Sequence, residues 1–147
     1  MKSSLIACLF LVLIACGKSG DHTNHDMHAD STSENPNQAL YDQVMDIHDE
    51  VMPKMEDIYK LKQTLEEKIA NTPGMVEDQK KELQAMIAKL DSSNNAMMEW
   101  MHQFNPLPDS TDQEKAREYL ETEMERIKKV RELTNETLEK AKDIVKK

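Results

Sequence analysis

Apolar residues are spaced differently in successive parts of this chain. From residue 5 to residue 15 they are almost continuous. From 17 to 37 they show no period at all. From residue 38 onward they recur every three or four positions, which places them on one face of a helix. Leu40, Val44, Ile47, Val51, Met55, Ile58, Leu61, Leu65 and Ile69 predict a first helix from about Gln38 to Asn71. Thr72-Pro73-Gly74 ends it as a turn. Leu83, Met86, Leu90, Asn94, Met97, Met101 and Phe104 form the seam of a second helix, from about Val76 to Phe104, which Asn105-Pro106-Leu107-Pro108 stops. A third helix carries Ala116, Leu120, Met124, Ile127, Val130, Thr134, Leu138, Ala141 and Val145. A capping box formed by Ser110 with Gln113, or by Thr111 with Glu114, starts it.

Short connections between long helices make sequence neighbours antiparallel. The expected fold is all-α: an elongated up-down-up antiparallel three-helix bundle over residues 38–147, about 45–50 Å long at 1.5 Å per residue. Composition agrees with this. The chain has three Gly, one Trp and 4% aromatics, too few for a β-sandwich, and it is rich in Glu, Lys, Leu, Met and Gln. Pro53 interrupts the first helix. In mid-helix it removes a hydrogen bond to residue 49 and bends the rod; in the first turn of a new helix it costs little.

The first fifteen residues read as a secretory leader: Lys2, then an apolar run too short to span a bilayer. The run ends in Leu13-Ile14-Ala15-Cys16-Gly17, which resembles the lipobox of bacterial lipoproteins. That resemblance implies cleavage before Cys16 and lipidation of its thiol. Leu5-Ile6-Ala7-Cys8 is a poorer match, because no apolar core precedes it. Both cysteines are then accounted for, and none is left for a disulfide, a thiolate metal site or a nucleophile. Residues 16–37 follow as a flexible, protease-labile tether. Within it His22, His25 and His28, flanked by Asp and Met, are a weak secondary candidate for Zn(II) or Cu(II).

The formal charge is −9, and loss of the leader removes only Lys2. An acidic surface of this kind excludes nucleic acid as a partner and disfavours docking on anionic lipid heads. The sequence contains no metal-hydrolase His-Glu-x-x-His, no phosphate-cradling glycine loop and no nucleophile elbow. No enzyme is expected.

The remaining chemistry is methionine and histidine. Met45, His48, Met52, Met55 and Tyr59 share one stripe of the first helix, and Met97, Met98, Met101 and His102 crowd the second. Folding these helices about Pro73-Gly74 brings Met45 level with Met101, His48 with Met98 and Met52 with Asn94. Folding the third helix about residues 105–109 brings Ala116 to Leu120 to the same height. Thioether and imidazole are soft or borderline ligands suited to Cu(I). The candidate metal residues are therefore His48, Met52, Met55, Met97, Met98, Met101 and His102. Methionine at helical spacing is equally ordinary core filler, adaptable in shape. Glu99-x-x-His102 is a single copy of a di-iron carboxylate element; such sites need a second copy and more glutamates on four helices, so this reading is set aside.

His48-Asp-Glu-Val-Met-Pro-Lys-Met55, then Met97-Met-Glu-Trp-Met101, behind a lipobox, resembles a family of small bacterial lipoproteins of unknown function, sometimes labelled "viral A-type inclusion protein". The resemblance implies lipidation and a helical fold; it implies no activity. Gly17 after Cys16, with no acidic residue, resembles the default sorting signal for an outer-membrane anchor facing the periplasm. The sequence thus leads to two functions. One is a lipid-anchored envelope protein that binds Cu(I) through the Met/His layer. The alternative is a tethered scaffold that binds an envelope partner through a Met-rich groove.

Overall fold

The computed structural model describes residues 36–108 and 110–146. The expected leader, Cys16 and the three histidines of the expected tether lie outside the described residues. The fold is an all-α bundle, and no strand occurs among the described residues. Its helices are α1 (Gln38–Val51), α2 (Lys54–Ala70), α3 (Glu77–Gln103) and α4 (Gln113–Val145).

The expected first helix is two helices, split at Met52-Pro53. The backbone stays right-handed through the junction, with φ/ψ of −53°/−46° at Met52 and −60°/−27° at Pro53. Pro53 has no N–H to give residue 49. The following amides bond three residues back: Met55 N to Met52 O at 3.1 Å and Glu56 N to Pro53 O at 3.3 Å. The break is thus a short tightened turn rather than a loop. Side chains clamp it. Lys54 Nζ donates to Glu50 Oε1 at 2.7 Å and to Asn135 Oδ1 of α4 at 2.8 Å. Arg131 adds a bond to the other Glu50 oxygen at 3.4 Å. The Lys54 hydrogen bond, with Arg131 adding to it, holds the Glu50 carboxyl below its ordinary range.

Cross-helix pairs give the directions. Lys62–Asp91, His48–Trp100 and Tyr41–Phe104 step up α3 as they step down the first arm, so α3 runs against it. Asn37–Gln113, Glu50–Arg131, Lys54–Asn135 and Asp57–Lys142 step together, so α1 and α2 run alongside α4 in the same direction.

Two apolar clusters fill the interior. One gathers Val44, Ile47, Val51, Met97, Trp100, Met124, Ile127 and Val130. The other gathers Ile58, Leu65, Leu83, Met86, Leu90, Leu138 and Ala141. Met55 packs against both. Ser93 and Thr134 are fully buried, their hydroxyls 3.1 Å apart and each satisfied by the other. The inner seam of α3 therefore runs through Ser93, Met97 and Trp100, not through Asn94 and Met101 as the sequence period suggests. Burying an indole removes far more apolar area from water than burying a thioether, and a small Ser lets α3 lie close to α4.

Two further expectations are corrected. The cap of α4 is Asp112, whose Oδ1 accepts from Lys115 N at 3.2 Å, and not Ser110 or Thr111. Aspartate caps as well as serine, but Lys at the third position leaves no box pattern to find. Tyr59 is 60% exposed and leaves the methionine stripe, because the stripe rotates off the core beyond the break.

Candidate metal centre

Above the Pro53 break, α1 diverges from α3. No Cα of α1 lies within 8 Å of one in α3, although α2 and α3 are in close backbone contact. Side chains bridge this seam instead. Tyr41, Met45, His48, Met52 and Met55 recur at four, three, four and three, one stripe of the first arm. Tyr41 meets Phe104 with ring centres 6.1 Å apart, and His48 meets Trp100 at 5.9 Å. Met52, Met55 and Met101 are half-buried against the cluster that contains Met97 and Trp100. Met45 is half-buried on the same stripe.

The structure therefore puts Met52, Met55 and Met101 against the cluster that holds Met97 and Trp100, and His48 against Trp100. It does not bring in Met98 or His102. Met98 is 38% exposed. His102 is exposed, its Nδ1 2.6 Å from the Met98 carbonyl one turn back on its own helix. His48 faces Trp100 rather than Met98, which corrects the expected pairing. The reason is geometric. Residues 91, 98 and 102 lie on one side of α3, roughly 100° or more from Met97 at about 100° per residue. Below the break α2 reaches that side, and Lys62 Nζ bonds Asp91 Oδ1 at 2.6 Å. Above the break α1 has moved away, so the same side is left open at Met98 and His102.

Ala116 to Leu120 also lie at a different height from that expected. At the level of Met97 and Trp100, α4 presents Met124, Ile127 and Val130. Residues before proline are pushed to extended conformations, so the connection after Phe104 runs alongside the first turns of α4 instead of reversing at once. Asn105 N donates to Tyr119 Oη at 2.7 Å along this run. Burial is the main influence raising the Tyr119 phenol above its ordinary range. Ala116 instead lines a cavity of about 220 Å³ between the starts of α1 and α4 and this connection. No carboxylate, imidazole or thioether is among the described residues that line this cavity, and Asn37 Nδ2 donates to Gln113 O and Oε1 at 2.9 Å each.

His48 has one ring nitrogen engaged by its neighbour in sequence. Its Nδ1 lies 2.8 Å from Asp49 Oδ1. When that nitrogen carries the proton, Nε2 keeps its lone pair. No group of three or more His, Cys, Asp or Glu placed to hold a metal occurs among the described residues. A metal in this seam has to draw on thioether sulfur.

Sequence reasoning missed the aromatic array Tyr41–Phe104–Trp100, with Tyr119 against Phe104 at 6.2 Å. The spacing of Trp100 and Phe104, one turn apart, was the available signal. Trp100 is 3% exposed, and its Nε1 has no hydrogen-bond partner. An orphaned donor of this kind costs about 1–3 kcal/mol. The buried Glu123 likewise has one unpartnered oxygen, Oε2.

No helix among the described residues is long and apolar enough to cross a membrane. Comparison of the chain with protein-family models, curated proteins and solved structures gives no match.

Proposed function

We propose that this protein is a non-enzymatic, lipid-anchored cell-envelope protein whose bundle binds one Cu(I) in the α1–α3 seam. One observation carries the metal reading. Two soft-ligand pairs, each one helical turn apart, converge on Trp100 and its cluster: His48 on α1 with Met52 at the break, and Met97 with Met101 on α3. One nitrogen and two or three thioethers are a donor set that selects Cu(I) over harder ions. The anchor rests on Leu13-Ile14-Ala15-Cys16-Gly17.

The test uses the chain from residue 16 on, carrying Cys16→Ser and His22→Gln, His25→Gln and His28→Gln, so that neither the thiol nor the tether imidazoles compete. It should take up about one Cu(I) and melt at a higher temperature when loaded, because the ligands converge only in the folded state. His48→Ala with Met101→Leu should weaken binding on the order of 100-fold while the helices persist, since Leu replaces Met at about 1.5 kcal/mol or less. No uptake, or equal uptake by the double variant, ends the metal reading. The splayed, methionine-lined seam with Met98 exposed then favours the scaffold reading, in which an envelope partner packs there.

The anchor has its own test. Cys16→Ser in the full chain should move the protein from the membrane to the soluble fraction. A native chain whose N-terminus lies beyond residue 16, without lipid, refutes it by mass spectrometry.

A further inference from the structure

We propose that the indole of Trp100 is itself part of the metal site, its π face attracting the bound Cu(I) beside the imidazole and the thioethers. This rests on the metal reading above. The ring centres of His48 and Trp100 are 5.9 Å apart and their planes tilt by 39°. At that separation a cation on the edge of the imidazole turned toward the indole comes within about 6 Å of its face, the range over which an aromatic face acts on charge. Trp has the strongest such face of the three aromatic residues. It is also placed with the ligands: Met97 precedes it by three residues and Met101 follows it directly, and Met97 shares its buried cluster. At 3% exposure the attraction would act with little water to screen it.

Packing accounts for a large apolar ring at this position, not for an indole N–H. A buried Trp ordinarily gives its N–H to an acceptor, and here Nε1 has none. Phe or Leu would fill this core without an orphaned donor, and the chain already stacks Phe104 on the indole at 4.8 Å. The larger π face is what Trp adds over either substitute. It also gives the site a direction of selectivity. A face without lone pairs suits a soft monovalent ion of low coordination number and obstructs the tetragonal nitrogen and oxygen shell that Cu(II) prefers.

Trp100 is the only tryptophan in the chain, so its emission reports on this position alone. The chain from residue 16 on, with the Cys16→Ser and tether His→Gln changes, is titrated anaerobically with Cu(I), and separately with Ag(I) and Cu(II). Emission should fall with Cu(I) and Ag(I) and level off at one equivalent, with little change for Cu(II). Trp100→Phe should bind Cu(I) about tenfold more weakly and Trp100→Leu more weakly still, following the strength of the π face. The metal-free Trp100→Phe chain should melt close to the parent, since the smaller ring is offset by loss of the orphaned donor. A structural role would instead lower melting temperature and affinity together, with no order set by π strength. If one Cu(I) binds and emission does not change, or Trp100→Leu binds as tightly as the parent, Trp100 is not in the site and the Met/His reading stands without it. If the parent binds no Cu(I), both fall.

Discussion

Replacing Leu90 by Ala should remove roughly 3–4 kcal/mol from the unfolding free energy. Leu90 is fully buried and belongs to the lower cluster with Leu65, Leu83 and Met86. The loss combines the transfer energy of the deleted carbons with the cavity they leave, and long rigid helices on three sides cannot collapse into it. Small domains of this size hold about 5–15 kcal/mol in total, so one deletion takes a large share. The melting temperature should fall by about 15 °C, at a few degrees per kcal/mol. A urea titration measures it, with the slope unchanged if the unfolded state is unaffected. Val76→Ala is the control: at 68% exposure it should stay within about 0.5 kcal/mol of the parent. A loss below about 1 kcal/mol for Leu90→Ala would mean that α3 does not bury this face, and the α3 register would be wrong.

The second large effect concerns a buried charge. Glu123 is 3% exposed, on the buried face of α4 that it shares with Leu120, Met124 and Ile127. Its Oε1 accepts from Arg126 at 2.7 Å, and Arg126 also bonds the side chain of Gln103 on α3. Arg126→Ala removes the one ion-pair partner, among the described residues, of a carboxylate that water hardly reaches. Breaking such a pair from one side costs about 3–5 kcal/mol in full burial. The Arg126 side chain is 35% exposed, so water can enter where it stood, and the loss should be about 2–3 kcal/mol. Glu123→Leu should be close to neutral or stabilising, because it removes the charge and the unpartnered Oε2 together. The double variant should return close to the parent, giving a coupling of about 2 kcal/mol in a double-mutant cycle. Arg126→Ala within about 0.5 kcal/mol of the parent would show that Glu123 is hydrated rather than buried.

Both effects sit on helix faces, and faces differ in how far the chain announces them. Val44, Ile47, Val51, Ile58 and Leu65 were readable as core from spacing alone, as was the α4 line from Leu120 to Ala141. Glu123 and Thr137 were not, although both are buried. Hydrophobicity argues against them, and only the approach of α3 encloses them. Leu83, Met86, Leu90 and Met97 of the α3 seam were readable too, but Asn94 and Met101 each lie one residue past the buried Ser93 and Trp100, because Asn94 and Ser93 are both polar and the period alone cannot choose between them.

The metal candidates divide along the same line. Met52, Met55, Met97 and Met101 share a cluster, and His48 touches its Trp100, as the helical periods on each side suggest. Met98 and His102 lie at the right height and on the wrong side. Counting residues from a turn fixes height along two antiparallel rods; it contains no information on rotation about either axis. Rotation follows from which side chains pack best, here Trp100 and Ser93 against α4.

By itself, then, the sequence determined the helical class, the position of the breaks and most of the buried stripes. These depend on a local period of three and four and on the backbone limits of proline, which act within a few residues of each position. Only the tertiary structure decided that α1 departs from α3 above Pro53, that the Pro106-Leu107-Pro108 connection carries Ala116 away from the methionine layer, and that Trp100 rather than Met98 meets His48. Those outcomes depend on how whole helices seat against each other. That balance is summed over many weak contacts between distant residues, and no short stretch of chain contains it.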